Sequence, residues 1–277
     1  MTDQYAVIGN PITQSKSPLI HGMFAQATRQ DLAYGKIEGH NFAADVDAFR
    51  ARGGRGLNIT APFKLDAFAY ANEHSERAKL AGAVNCMKFD GARVIAENFD
   101  GVGLVRDVVH NLQTSMAGKR VLMLGAGGAA RGALLPFLAE KPALLVIANR
   151  HLDKAEELAA IGNAAGLGAA AGVVKASTYA SLEGQIFDIV FNATSASLTA
   201  ELPPVPASVF AQCALAYELA YGKGLTPFLR LAHNAGVKKL ADGVGMLAEQ
   251  AAEAFDWWRG VRPDTAAVIK AITVPLA

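Results

Sequence analysis

Val121-Leu122-Met123-Leu124-Gly125-Ala126-Gly127-Gly128-Ala129-Ala130-Arg131 reads as an apolar strand, a glycine-rich turn and a helix start. A second apolar run, Val146-Ile147-Ala148-Asn149-Arg150, follows about twenty residues on, the spacing of a dinucleotide-binding βαβ unit. Small residues at Gly125, Ala126, Gly127, Gly128 and Ala129 let the backbone approach a pyrophosphate. The helix N-terminus then offers free N–H groups to the anion. The end of the second strand selects the dinucleotide. Asp or Glu there accepts from the ribose 2′-OH of NAD, whereas this chain has Asn149, then Arg150 and Lys154. A carboxylate would repel a 2′-phosphate and two cations attract it, so the expected cofactor is NADP(H).

The rest of the chain sets the frame for that unit. With 277 residues, 52% apolar and 18% charged, it has material for two domains and a sizeable core. A net charge of +1 gives no bulk attraction to nucleic acid or an anionic membrane. Cys86 and Cys213 form no CxxC pair, which fits a reducing cytoplasm. The six histidines lack metal-ligand spacing, so no metal is expected. The N-terminus lacks the pattern of a signal peptide, and no apolar segment is long enough to span a bilayer. The expected location is cytoplasmic.

Tyr5–Gly9 reads as a strand, Ser17-Pro18 as the capped start of a helix reaching about Ala27, and Gly56–Thr60 as another strand. Leu65–Asn72 has helical periodicity, and Ser75 caps a further helix. Val84–Phe89 and Arg93–Glu97 flank Asp90-Gly91, a hairpin signal. One helix is expected over Asp100–Asn111. Strands are then expected at Arg120–Leu124, Leu144–Ala148, Gly172–Lys175, Ile186–Asn192 and Leu215–Leu219, with helices at Ala129–Glu140 and Leu152–Ile161. Such alternation implies a parallel sheet. The Ala-rich piece Ala159–Ala171 reads as a helix end and surface loop. Helices return after Gly243, the last over Val261–Ile272. The expected fold is α/β in two domains: an α/β substrate domain, 1–103 plus 240–277, and a Rossmann-like doubly wound domain, 104–239. The cofactor should follow the C-terminal strand ends of the second, with substrate residues facing it across a cleft.

Polar residues gather at strand ends and turns of the N-terminal part. Ser15 and Ser17 offer hydroxyls at a helix start. Asn58 and Thr60 share a strand face, Lys64 follows four residues later, and Asn85, Asn98 and Asp100 complete the set. Such a set suits a polyhydroxylated acid needing many directed hydrogen bonds. Each member also has a plainer reading: Ser17 as a helix cap, Asn58 and Asn98 as turn residues, Lys64 as a solvated lysine.

In order along the chain stand Asn10-Pro11, Ser15-Lys16-Ser17-Pro18, Asn58-x-Thr60-x-Pro62-x-Lys64, Ala81-Gly82-Ala83-Val84-Asn85 and Asn98-x-Asp100-Gly101. Gly125–Ala130, Asn149-Arg150, Asn192-Ala193-Thr194-Ser195 and Gly243-x-Gly245-Met246-Leu247-x-x-Gln250-Ala251 continue the series. In these motifs the chain resembles the shikimate dehydrogenases over almost its whole length. The resemblance implies NADPH-dependent reduction of 3-dehydroshikimate to shikimate in aromatic amino-acid biosynthesis. It implies Lys64 and Asp100 as the catalytic pair, and Ser15, Ser17, Asn58, Thr60, Asn85, Tyr221 and Gln250 as substrate ligands. It also implies Ala193, Thr194, Leu219 and Gly243 beside the nicotinamide, and Asn149, Arg150, His151 and Lys154 around the 2′-phosphate. Glu76 is a further expected neighbour of the cofactor.

The chain departs from the family's usual pattern at several places. Phe99 stands where Thr usually separates the Asn and Asp, and Cys86 where Thr follows the Asn. Tyr217-Glu218-Leu219-Ala220-Tyr221 replaces Tyr-Asp-Met-x-Tyr, and Ser197 replaces a Gly. His151 and Lys154 replace Thr and Arg. The first three changes are expected to cluster near substrate and nicotinamide. They motivate an alternative: a shikimate/quinate dehydrogenase-like paralogue with altered substrate preference. A nucleotide-binding protein that has lost turnover is the alternative from outside enzymology. Expected partners are the small-molecule substrate alone, with no nucleic acid or membrane, in a monomer or homodimer.

Overall fold

The computed structural model describes residues 2–166, 172–194, 196 and 201–276. The chain divides into two compact units, Met1–Gly103 with Leu247–Ile272, and Leu104–Met246 with Thr273–Ala277.

The first unit is built on a mixed sheet of β1 (Asp3–Gly9), β2 (Leu32–Glu38), β3 (Gly54–Ile59), β4 (Glu73–His74), β5 (Cys86–Asp90) and β6 (Arg93–Glu97). The strand order is β2-β1-β3-β5-β6-β4. The β1–β2, β1–β3 and β4–β6 pairs are parallel, and β3–β5 and β5–β6 antiparallel. The hairpin turns at Asp90-Gly91 as its sequence requires, Gly91 supplying positive φ. Helices α1 (Ser17–Thr28), α2 (Phe42–Ala51), α3 (Lys64–Tyr70) and α4 (Glu76–Ala81) join these strands. One face of the sheet buries Ile8, Leu57, Ile59, Met87 and Ala96 in a shared core with Val46, Phe49, Ala67 and Val84.

The second unit carries β7 (Arg120–Leu124), β8 (Leu144–Ala148), β9 (Val174–Ser177), β10 (Ile189–Asn192), β11 (Leu215–Glu218) and β12 (Lys239–Asp242). All are parallel, in the order β12-β11-β10-β7-β8-β9. That is the doubly wound Rossmann order, reversing between β7 and β10. Strands buried on both faces explain the unbroken apolar runs. Val121 and Met123 enter a core with Phe137, Ile147 and Phe191, while Leu122 and Leu124 enter another with Val146, Val190 and Phe228. Helix α6, after α5 (Asp100–Arg106), spans Gly128–Ala139 and α7 spans Leu152–Ala164, followed by α8 (Pro227–Asn234). Helix α9 (Val244–Arg259) runs out of this unit at Met246, and α10 (Ala266–Ile272) belongs to the first.

Several local expectations change. The helix start at Ser17 has Lys16 as its cap residue, without a side-chain bond, so the Ser17 hydroxyl is not spent on capping. The expected helix over Asp100–Asn111 is α5 plus a π-helical turn, Asp107–Asn111. Asp107 organises that turn: it accepts from Asn111 Nδ2 at 2.9 Å and from the buried Tyr217 hydroxyl at 2.7 Å. The last helix begins at Ala266 rather than Val261. Leu240–Asp242 lie in β12, paired with β11, and Leu276 packs on the second unit's core, so Leu240–Met246 and the last residues group with that unit. Within the Ala-rich piece, 167–171 lie outside the described residues.

Candidate functional site

In the first unit, the mixed pairing of β1, β3, β5 and β6 and tight turns bring the polar residues of the sequence motifs together. Lys64 opens α3, and its backbone carbonyl accepts from Val84 N at 3.0 Å, tying the helix start to the segment that carries Asn85. Its ammonium meets Asp100 Oδ2 at 2.5 Å. The other carboxylate oxygen, Oδ1, accepts from Asn85 Nδ2 at 2.8 Å. Asn85 Nδ2 also reaches Gln250 Oε1 at 3.3 Å, and Asn85 Oδ1 accepts from Phe99 N at 2.9 Å. Lys64 and Asp100 keep 35% and 19% of their side-chain surface, enough for a small molecule to reach both groups.

Ser15, Ser17, Asn58 and Thr60 belong to the same unit. Ser15 Oγ lies 3.3 Å from Ser17 Oγ. Asn58 Oδ1 accepts from the Tyr34 hydroxyl at 2.6 Å, and Asn58 Nδ2 makes one long contact, 3.5 Å, to Asn85 O. Thr60 N bonds Ile8 O at the end of β1. Asn98 supports the turn instead of lining it: its amide donates to Ala83 O and its Oδ1 accepts from Asp100 N. Glu97 holds the same turn through Asn98 N and a two-pronged pair with Arg77.

Phe99 and Cys86 adjoin site residues, but their side chains turn away from the polar group. Phe99 is 3% exposed and Cys86 fully buried, in an apolar cluster with Tyr5, Ala254 and Trp258. The Phe99 ring meets Trp257 edge-on at 5.8 Å, and the Arg77 guanidinium lies 5.6 Å from its centre. Consecutive side chains of the turn therefore diverge, Asp100 to Lys64 and Asn85, Phe99 into the apolar cluster. Burial and the charge of Glu97 push the Cys86 thiol well above its usual range. Glu76 is exposed and bonded to Lys79 one turn on.

In the second unit, a cavity of about 530 Å³ opens at the C-terminal ends of β7 and β8. Gly125–Gly128 form one wall, Asn149, Arg150, His151 and Lys154 another, and Ala193 and Thr194 a third. Gly125 has φ of +101°, and a Cβ there would lie 3.1 Å from Ala193 O, so the turn needs glycine. A Cβ on Gly127 or Gly128 would meet nothing within 4 Å, which leaves this stretch of backbone open to a ligand. No side chain caps α6. Asn149 Nδ2 is committed to His151 O at 2.9 Å. Among the described residues, neither Arg150 nor Lys154 pairs with a carboxylate, so positive charge stands uncompensated beside the turn. The residues present therefore fit a dinucleotide with a 2′-phosphate.

Leu219 and Gly243 approach each other at the ends of β11 and β12: a Cβ on Gly243 would fall 2.1 Å from Leu219 O. Glu218, fully buried, accepts from Asn192 Nδ2 at 2.8 Å and Ala220 N at 3.2 Å. It thereby ties the Asn192–Thr194 turn to the Leu219–Ala220 turn. Tyr221 lies beyond that turn in the second unit and is 45% exposed. Ser195 and Ser197 fall outside the described residues. Tyr179 was missed by the sequence reading. It lines the same cavity, two residues past β9, and Arg150 lies close enough to act on its phenol electrostatically. Its signal was an aromatic residue just past the end of the third Rossmann strand. No group of three or more His, Cys, Asp or Glu suited to a metal ion is found among the described residues.

Comparison with known proteins agrees with both units. A model of the shikimate dehydrogenase substrate binding domain matches residues 7–87. The shikimate / quinate 5-dehydrogenase model matches 107–200, and the shikimate 5′-dehydrogenase C-terminal domain model matches 243–273. A shikimate dehydrogenase (NADP(+)) of Chromobacterium violaceum is 53% identical, the alignment covering 100% of both chains. This chain belongs to the shikimate dehydrogenase family. Among solved structures, an Ael1 enzyme from Pseudomonas putida is 61% identical with a TM-score of 0.94, covering 100% of both chains. A shikimate 5-dehydrogenase from Thermus thermophilus, solved with NADP(H) and shikimate, is 27% identical with a TM-score of 0.83, covering 98% of each chain. No helix among the described residues is long and apolar enough to cross a membrane.

Proposed function

We propose that this chain catalyses the reversible, NADP-linked reduction of 3-dehydroshikimate to shikimate, a step of aromatic amino-acid biosynthesis. The observation that carries the reading is the Lys64–Asp100 contact at 2.5 Å, with Asn85 on the second carboxylate oxygen. Bound NADPH would supply the hydride. As the substrate ketone gains electrons, its oxygen becomes anionic. The Lys64 ammonium stabilises that charge and donates a proton to it. Asp100 holds the ammonium in place and accepts from a substrate hydroxyl. Asn85 fixes the carboxylate, Gln250 accepts from Asn85, and both bond neighbouring hydroxyls. Ser15, Ser17, Asn58, Thr60 and Tyr221 bind the rest of the substrate, the serines its carboxylate end.

We assign the Gly125–Ala129 turn, open at Gly127 and Gly128, and the uncapped start of α6 to the pyrophosphate. Arg150, Lys154, His151 and Asn149 hold the 2′-phosphate, and Ala193, Thr194, Leu219 and Gly243 wall the nicotinamide. Two free cysteines suit a reducing compartment, and we propose a cytoplasmic location. The alternative with altered substrate preference drew on Phe99, Cys86 and the Tyr217–Tyr221 run; Phe99 and Cys86 pack in the buried apolar cluster, whereas Leu219 and Tyr221 stay among the residues assigned to nicotinamide and substrate.

Initial rates of NADP and NAD reduction with shikimate and with quinate test this. Fast turnover confined to shikimate with NADP is the expected outcome. Appreciable quinate turnover would move the chain to the broader specificity. Preference for NAD would overturn the 2′-phosphate assignment, and silence in all four mixtures the activity itself.

A further inference from the structure

We propose that Tyr34, outside every motif of the sequence reading, sets the orientation of the Asn58 amide so that it presents N–H rather than C=O to the substrate. This deepens the proposed function and rests on its assignment of Asn58 to substrate.

An amide side chain has one accepting end and one donating end, and only its surroundings decide which faces a ligand. The Tyr34 hydroxyl lies 2.6 Å from Asn58 Oδ1. The Ser17 hydroxyl lies against the same phenol, and Ser15 Oγ is 3.3 Å from Ser17 Oγ. A phenol has one proton. At 2.6 Å from Oδ1 the phenol directs that proton to Asn58, which meets it with its carbonyl oxygen. Asn58 Nδ2 then has two N–H groups and a single 3.5 Å contact, to Asn85 O. At least one strong donor remains for a ligand that offers acceptor oxygens.

The surroundings keep the phenol in this role. Burial pushes the Tyr34 hydroxyl well above its usual range, so it stays a donor at all working pH. The ring stacks flat on His21, centroids 4.2 Å apart and planes 5° apart. His21 is 1% exposed, and Phe24, Phe255 and Trp258 surround it. Neither imidazole nitrogen reaches a hydrogen-bond partner, although Asn58 faces the ring. The imidazole therefore does not compete for the phenol proton.

Tyr34 acts through Asn58, so it is a positioning residue. Tyr34→Phe keeps the stacked ring and removes only the hydroxyl. The amide is then free to turn and offer its carbonyl. The expected result is a rise of about tenfold in KM for shikimate, the scale of one lost hydrogen bond. KM for NADP and kcat should hold, because the interaction serves ground and transition states alike.

Asn58→Ala is measured alongside, with the double variant. Asn58→Ala should raise KM for shikimate, and Tyr34→Phe should add nothing to it. Multiplying losses, or an unchanged KM in Tyr34→Phe, would overturn the inference while leaving the substrate site intact. An unchanged KM in Asn58→Ala would remove Asn58 from the substrate site and overturn both. Asn58→Asp is the second variant, useful if Tyr34→Phe folds poorly. It keeps an acceptor for Tyr34 and has no donor, so it should lose shikimate at least as strongly as Asn58→Ala. Normal affinity in Asn58→Asp would also overturn the inference.

Discussion

Lys64 and Asp100 show how much chemistry a few ångströms can hold. A lysine with 35% of its side chain exposed would ordinarily be mobile, but Asp100 at 2.5 Å and the α3 start give it one position. Replacing Lys64 with Ala should lower kcat by about 10²- to 10⁴-fold, the usual scale for a removed general acid. KM for NADP should be unaffected, since the lysine and the cavity at Gly125–Gly128 belong to different units. Steady-state kinetics on the purified variant decides this, and equal losses in turnover and cofactor affinity would argue against the assigned role. Phe99 carries the opposite lesson. It neighbours Asp100 in sequence, yet its ring lies in the cluster of Tyr5, Trp257 and Trp258.

At the scale of elements, the turns after β11 and β12 are held by a close approach that only glycine permits. A methyl group on Gly243 would overlap the Leu219 carbonyl, 2.1 Å away, and that carbonyl is backbone. Gly243→Ala should therefore cost about 1–3 kcal/mol by overpacking. KM for NADP should rise more than KM for shikimate, because Leu219 and Gly243 are assigned to the nicotinamide. Thermal melting and kinetics together check it; a variant with wild-type values for both would show that the turns can part without consequence.

The sequence was most legible where both faces of a strand are buried. Val121–Leu124 and Leu145–Ala148 left unbroken apolar runs, and both strands were found at the expected places. It was least legible at edges. Strand β2, Leu-Ala-Tyr-Gly-Lys-Ile-Glu, is an edge strand with a central glycine and no fully buried residue, so neither alternation nor a continuous run betrays it. Strand β12, also an edge, has four residues and one buried side chain. The site followed the same logic. Motif residues were legible through their spacing, whereas Tyr34 contributes through tertiary neighbours and leaves no local pattern, and Tyr179 leaves only its place just past a strand end. Ser17 illustrates an ambiguity that only geometry resolves, since a serine beside Pro18 reads as a cap until its hydroxyl is found without a capping bond.

For the whole molecule, the buried imidazole of His21 gives stability a pH dependence. Burial among Phe24, Tyr34, Phe255 and Trp258 drives its pKa down from 6.5 to about 3, with Asn58 opposing the shift. The unfolded chain therefore takes up a proton at this site near 6.5 and the folded chain only near 3. Between those values the unfolded state binds more protons, so stability falls as pH falls, by roughly 1.4 kcal/mol per unit from this group. Above pH 6.5 both states are neutral and the contribution is flat. Urea unfolding from pH 7.5 down to 4 should show that slope, and His21→Leu should reduce it. An unaltered slope in the variant would assign the acid sensitivity to other groups.

The two tryptophans of the chain, Trp257 and Trp258, are adjacent in α9 and both lie in the first unit. Trp258 is anchored by its indole N–H to Met87 O at 3.0 Å and lies 5.5 Å from the His21 ring. Emission excited at the indole band consequently reports the first unit alone, while far-ultraviolet dichroism sums over the backbone of both. If the halves melt separately, the two optical signals will part company, and the order in which they do so identifies the weaker half without any labelling.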